Sequence, residues 1–349
     1  MTAKVPLKRP LAPLFLSGPD RLRLSALLVC LCLLPVAALW SVGIGTTRIP
    51  LPEVVQAVLA FDGSRDHLVI MTIRLPRVLA GLLAGAALAV SGAIMQAMTN
   101  NPLASPGLLG VNAGAAFAVV LTLTVFGAGA ANLFIWSAFA GAGTASVLVY
   151  LAGSIGPAQD SPVKLVLAGA IMSAFLMSLT TAVLIFDQNT LDSVRLWTAG
   201  SLTGRTMGQV RTVAPYMLAG FVATAVFSRQ FMTLSLGADV SRTLGQNPIV
   251  WRGLAALIVI LLAGSAVALA GPIGFVGLVV PHIVRLSIGI DYKWILPFAA
   301  AGGALLVVLA DTLSRLLFPG QSFPVGITMA LIGAPFFVWL ARGRTQETS

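Results

Sequence analysis

The sequence has 349 residues, of which 58% are hydrophobic and 9% charged, with a mean hydropathy of +0.97. A soluble domain carries about 25% charged residues, so this composition excludes an ordinary water-soluble enzyme, and 35 Gly with 20 Pro scattered among apolar runs exclude a coiled coil or a collagen-like rod. The net charge of +10, from 21 basic and 11 acidic residues, would suit a nucleic-acid binder in a soluble protein; here the basic residues lie between apolar runs, so they read as membrane topology and no nucleic-acid partner is expected.

A spanning helix takes about 20 apolar residues, which leaves room for roughly eight to eleven spans in one all-α polytopic domain. Residues 1–24 hold Lys4, Lys8, Arg9, Arg21 and Arg23 against Asp20, a basic segment before the apolar stretch Ser25 to Gly45. A signal peptide has the same order of charge and apolar run, but this run is too long for a typical signal core and more follow, so it reads as a retained first helix. Cys30 and Cys32 fall on nearly opposite faces of that helix and read as small buried hydrophobes. Further apolar stretches cover 78–98, 112–127, 131–153, 164–186, 212–228, 251–271, 273–289, 295–318 and 325–341, which makes ten spans within a membrane domain of 25–341 and leaves a tail of 342–349.

An even number of spans puts both termini on one side. With the termini inside, inner segments hold 13 basic and 5 acidic residues and outer segments 8 basic and 6 acidic, so the positive-inside bias favours cytoplasmic termini in the cytoplasmic membrane. The bias is modest because Arg48, Arg65, Arg74, Arg77, Arg195, Arg205, Arg211 and Arg315 fall outside. Arg74 and Arg77 open the second span around Pro76, which suits a helix start. They read either as a fork for carboxylates or as arginines snorkelling towards headgroups. Asp311 and Arg315 lie four apart in the ninth span, the favourable order for a helical ion pair.

Two apolar stretches are broken by Gly and Pro: 100–114, with Asn101, Pro102, Pro106, Gly107 and Gly110, and 271–282, with Gly274, Gly277 and Pro281. Broken helices in corresponding positions of two halves are expected of transporters built from inverted repeats, where they line the path. Gly110 is followed 59 residues later by Gly169 in LAGA, and Gly277 is followed 56 residues later by Gly333 in LIGA. Between spans six and seven, about 234–250, Leu236, Val240 and Leu244 repeat every four residues, with Asp239 and Arg242 on other faces and Gly237, Gly245 and Pro248 as brackets. This is a short amphipathic helix, either lying on the membrane surface or fitting a cytoplasmic partner. There is no P-loop, so the chain is not expected to hydrolyse nucleotide. The two histidines, His67 and His282, have no carboxylate or thiol cluster at ligand spacing, so no metal or cofactor is expected.

Several long motifs occur together: RLPRVLAGLLAGAALAVSGAIMQ at 74–96, NPLASPGLLGVNAG at 101–114, SPVKLVLAG at 161–169, LWTAGSL at 196–202, LSLGADVSRTLG at 234–245, GPIGFVGLVVPHIVR at 271–285, LADTLSR at 309–315 and PVGITMALIGAPFF at 324–337. In this order they resemble the permease subunit of type II ABC importers, the FecCD-like family for iron-siderophore, haem and vitamin B12. The resemblance implies ten helices in two inverted repeats, a dimer with a second permease subunit, two cytoplasmic ATPase subunits and an extracytoplasmic binding protein. It implies that Arg74, Arg77 and Arg315 dock that protein's acidic side chains. Leu236, Gly237, Asp239, Arg242, Leu244 and Gly245 would couple to the ATPase, and Ser161, Pro162 and Val163 would stand at the cytoplasmic gate, where the family's gate is polar. SPVKLVLAG and LWTAGSL look more like siderophore permeases than vitamin B12 ones. The competing classes are a haem or vitamin B12 permease of the same family and an ion-driven secondary transporter, which would place ionisable residues along its path; a membrane-embedded enzyme lacks any convergent His, Glu or Ser cluster.

Overall fold

The computed structural model describes residues 20–127, 133–155, 162–321 and 323–345, and among these every regular element is helical. In chain order the helices are α1 (Asp20–Gly43), α2 (Leu51–Leu59), α3 (Arg65–Thr99), α4 (Val111–Phe126), α5 (Phe134–Ser154) and α6 (Pro162–Phe186). They continue with α7 (Gln188–Thr198), α8 (Met207–Val226), α9 (Ser228–Leu234), α10 (Ala238–Thr243), α11 (Pro248–Ala270), α12 (Val276–Ile288), α13 (Tyr292–Leu317) and α14 (Val325–Thr345). Six are long and apolar enough to cross a membrane, α8 with α9 forms a seventh bent by 67°, and α4, α12 and the apolar part of α14 are shorter. Together these occupy the ten apolar stretches of the sequence.

The centre of the bundle is α3, whose Ala- and Gly-rich face lets neighbours approach to backbone contact. A Cβ at Gly85 would lie 2.2 Å from the Gly303 carbonyl oxygen on α13, and one at Gly92 would lie 2.1 Å from that of Gly277 on α12. In lipid, where apolar surface alone does not drive helices together, such small-residue crossings supply the packing. By contrast α1 and α6 turn most of their apolar side chains outward.

Two opposite ends can be told apart. Leu202, after α7, packs on Gly81 of α3, one turn from Arg77, so the 199–206 loop shares the arginine end. At the other end of α3, Asn100 ends the helix in the left-handed region (φ 49°) and its amide donates to the Leu234 carbonyl at 2.9 Å. Asp20 lies there too, accepting from Trp294 Nε1 at 3.1 Å.

The two breaks enter the bundle from these opposite ends. From the α10 end, Pro106–Leu109 makes a single 3-10 turn before Gly110 (φ 74°) starts α4, and Gly169 of α6 seats against it so closely that a Cβ would lie 1.7 Å from the Leu108 carbonyl oxygen. From the arginine end, Gly271 (φ 73°) and Phe275 (φ 67°) bracket the break before α12, and Gly333 of α14 packs so closely there that a Cβ would lie 2.5 Å from Phe275 Cβ. Gly169 and Gly333 are the two residues whose spacing from Gly110 and Gly277 the sequence repeats, so the correspondence is a packing correspondence.

Several local expectations change. The second span does not start at Pro76: its helix begins at Arg65, capped by Ser64 Oγ, and Pro76 is accommodated by a π-turn over Ile70–Arg74, which relieves the clash a proline makes with an ordinary helical turn. Asp20–Leu24, expected in the basic segment, already belong to α1, and α14 runs to Thr345. The rim helices α2 and α7 were not expected. Both are short and amphipathic, and Asp187 caps α7 by accepting from the Thr190 N–H at 3.0 Å.

Candidate functional site

At the arginine end the chain buries charge. Arg74 is 6% exposed. Its Nη1 donates to the carbonyls of Val42 (2.9 Å) and Gly43 (3.1 Å), and its Nη2 to the carbonyl of Thr47 (2.6 Å). Arg315 reaches the same place from α13, donating to the Ser41 carbonyl at 2.9 Å, the Ser41 hydroxyl at 2.6 Å and the Ile44 carbonyl. The last carbonyls of α1 have no helical partners and carry the negative end of its dipole, and α1 has no basic residue in its own last turn. Two arginines from α3 and α13 cap it instead.

Arg77 turns a different way. Its Nε donates to both carboxylate oxygens of Asp311 at 3.0 and 3.1 Å and its Nη2 to Oδ1 at 2.8 Å, while Arg315 Nε donates to Oδ2 at 3.1 Å. The expected Asp311–Arg315 pair is present, and Asp311 is also the acceptor for Arg77, 234 residues away. The three arginines therefore come together, but the free fork expected of Arg74 and Arg77 is filled from within by carbonyls and a carboxylate. Above them is a 520 Å³ cavity whose lining includes these three together with Arg48, Arg65 and Asp66. Arg48 and Arg65 are exposed. Five guanidinium groups thus face Asp66 and the buried Asp311, which leaves a positive surplus at the mouth.

Beside this cavity, His67 is buried with Glu53 Oε1 3.2 Å from Nε2 and Asp62 Oδ1 2.8 Å from Nδ1. α2 and the loop after it fold both acids onto the ring, from 14 and 5 positions away in the sequence. Hydrogen bonds from Ser64 hold the Asp62 carboxyl below the usual carboxylate range. Among the described residues no group of three or more such side chains is arranged to hold a metal.

At the other end α10 projects as a knob. Gly237 (φ 101°) and Gly245 (φ 80°) make its turns in a region that side-chain-bearing residues avoid. The buried Ser241 pins it by donating to the carbonyls of Thr233 (2.9 Å) and Gly237 (2.7 Å), and Asn247 caps the following α11. Leu236, Val240 and Leu244 stand exposed, Leu244 at 62%. Asp239 and Arg242 pair at 3.6 Å on its surface. The helix predicted from four-residue spacing is therefore present, with its apolar side turned away from the protein.

The remaining predicted residues are spread along the bundle. Asn101 and Pro102 form the turn after α3, Pro106 and Gly107 the 3-10 turn and Gly110 the entry to α4; Gly277 and Pro281 are buried in α12, and Gly274 is exposed beside it. Ser161 lies outside the described residues, Pro162 opens α6, and Val163 is exposed. Val163, Leu167, Ile171 and Phe175 continue an exposed stripe along α6.

The FecCD transport family model matches residues 33–343. The chain belongs to the FecCD transport family. It is 46% identical over 303 residues to the Fe(3+)-citrate import system permease protein YfmD of Bacillus subtilis, covering 86% of this chain and 90% of that one. It is 41% identical over 317 residues to the ferric enterobactin transport system permease protein FepD of Escherichia coli, covering 90% and 94%. In three dimensions it is similar to a metal-chelate type ABC transporter captured in an inward-facing conformation, with a TM-score of 0.80 and 27% identity over 91% of this chain and 99% of that one. As a FecCD member it is a transport permease of the ABC-importer kind.

Proposed function

We propose that the chain is the membrane permease of an importer for ferric siderophores, working as one of two permease subunits on two cytoplasmic ATPase subunits and receiving its chelate from an extracytoplasmic binding protein. The likeness to iron-chelate permeases along nearly the whole chain carries the substrate class. Energy enters through α10. A knob with three exposed apolar side chains, lying outside the spans and pinned by Ser241, is suited to a cleft in a partner, and the chain has no P-loop of its own.

The arginine end faces outward on this account and α10 faces the cytoplasm, in keeping with the loop charges. The binding protein docks over the 520 Å³ cavity, attracted by its positive surplus; Arg48 and Arg65 are the exposed arginines there, while Arg74, Arg77 and Arg315 hold the cavity floor in shape. The exposed stripe of α6 faces the second permease subunit, with the chelate path between the two and Ser161, Pro162 and Val163 at its inner mouth. Val163 makes that gate less polar than is usual for the family. Docking above and nucleotide-driven closure below bias the pair between outward-open and inward-open states. Proteoliposomes holding the permease with its ATPase subunits, supplied with labelled ferric siderophores, haem and cobalamin, test this directly. ATP-dependent accumulation of the siderophore is expected, with none when the ATPase is left out. Accumulation of haem or cobalamin instead would refute the substrate class.

A further inference from the structure

We propose that a second cleft at the arginine end, built around Arg205, binds a small carboxylate such as the carboxylate arm of an anionic chelate. This 330 Å³ cavity lies between α7, the start of α8 and the ends of α4 and α5. Arg205 reaches it from the 199–206 loop. Its Nη1 donates to the Leu269 carbonyl at 3.1 Å and its Nε lies 3.4 Å from the Thr203 carbonyl, and among the described residues no carboxylate pairs with it. It differs in this from Arg77 and Arg315, which share Asp311. Burial pushes the Arg205 guanidinium below its ordinary value, yet a guanidinium keeps its charge in proteins. The Leu269 carbonyl, at the negative end of α11, offsets part of the cost of desolvating this half-buried cation, and an anion arriving in the cleft offsets more of it.

The lining is short of acceptors in the same way. The indole Nε1 of Trp197, which is 3% exposed, and the hydroxyl of Thr203 are buried without hydrogen-bond partners. Gln209 accepts from the Thr206 N–H through Oε1, which leaves its amide nitrogen as a donor. The floor is aromatic: Phe134 meets the Trp197 ring edge-on at 5.1 Å. A positive fork, unpartnered donors and an apolar floor in a cavity of small-ligand size suit a compact carboxylate.

The assignment to a chelate arm rests on the arginine end being the outward one, but binding itself does not, so the test uses the full chain in lipid nanodiscs without ATPase or binding protein. Citrate is titrated calorimetrically, with trimethyl citrate as the uncharged match. Saturable citrate binding is expected, with no binding of the ester. Arg205→Gln should weaken binding about ten- to a hundredfold, the loss of a charge-assisted bond, and Arg205→Lys should weaken it less. Leu196→Trp, which fills the mouth from an exposed position, should also weaken it, and gives a second variant if Arg205→Gln does not fold. The exposed Arg211→Gln should leave it unchanged. Absence of citrate binding, or equal binding by wild type and Arg205→Gln, overturns the proposal while leaving the importer account standing. Displacement of citrate by a short oligoglutamate at lower concentration would also overturn it, marking the cleft as a contact for a protein side chain.

Discussion

The two ends of the bundle invert the usual rule in opposite senses. At the arginine end charged groups are inside: Arg74, Arg77, Asp311 and Arg315 are nearly buried and bonded to one another or to the end of α1. At the α10 end apolar groups are outside, with Leu236, Val240 and Leu244 exposed beyond the spans. Buried charge here holds three helices in register, whereas the exposed apolar side chains of α10 are where the proposed function seats the ATPase. A residue type alone therefore does not tell which end meets another protein by its side chains; the bonding state of each side chain does.

This contrast can be broken by substitution, and the largest effect should come from its polar half. Asp311→Ala leaves Arg77 and Arg315 buried against each other, so the unfolding midpoint in detergent should fall by the equivalent of about 3–5 kcal/mol; an unchanged midpoint would mean the cluster is solvated. Next, the two breaks can be compared with each other. Gly169→Ala forces a Cβ onto the Leu108 backbone, while Gly333→Ala presses on the Phe275 side chain. Both should destabilise by about 1–3 kcal/mol, Gly169→Ala the more, because its Cβ would lie 1.7 Å from the Leu108 carbonyl oxygen against 2.5 Å from Phe275 Cβ at Gly333. Equal effects in a thermal-shift series would weaken the packing correspondence between the halves.

Smaller changes in stability should accompany large changes in partnership. Arg48→Glu with Arg65→Glu should leave the midpoint within about 0.5 kcal/mol and raise the dissociation constant for the binding protein, as the cavity's positive surplus is lost. The same reversal at Arg74 and Arg77 should reduce folded yield instead, since it puts carboxylates against the α1 carbonyls and Asp311. Smallest of all, Asp239→Asn removes an exposed pair and should change stability by less than about 0.5 kcal/mol, as judged by the same midpoint.

Much of this was legible in the sequence where the signal is local. Apolar runs located the spans, because helices in lipid must satisfy their backbone within one segment. The α10 knob was legible because Leu236, Val240 and Leu244 and their bracketing glycines lie within ten residues. The arginine cluster was not: Arg77 and Asp311 are 234 residues apart, and the acceptors for Arg74 are backbone carbonyls, which no side-chain pattern announces. The helix through Pro76 was hidden for a related reason, since a proline reads as a start unless a π-turn is already known to precede it. The contact of Glu53 with His67 was not legible, because Glu53 reaches the ring only once α2 has folded across. Arg205 looked like one more outer arginine; that no carboxylate among the described residues pairs with it is a property of the fold.

On the proposed function, this permease does no energetic work itself and is driven through α10. Leu236→Asp with Leu244→Asp, reconstituted with the ATPase subunits in proteoliposomes, tests it most directly when ATP hydrolysis and chelate uptake are measured on the same vesicles. The expected result is continued ATP hydrolysis with uptake at background and an unchanged unfolding midpoint. Uptake at the wild-type rate in that variant, or uphill accumulation by the wild-type permease without any ATPase, would contradict the account.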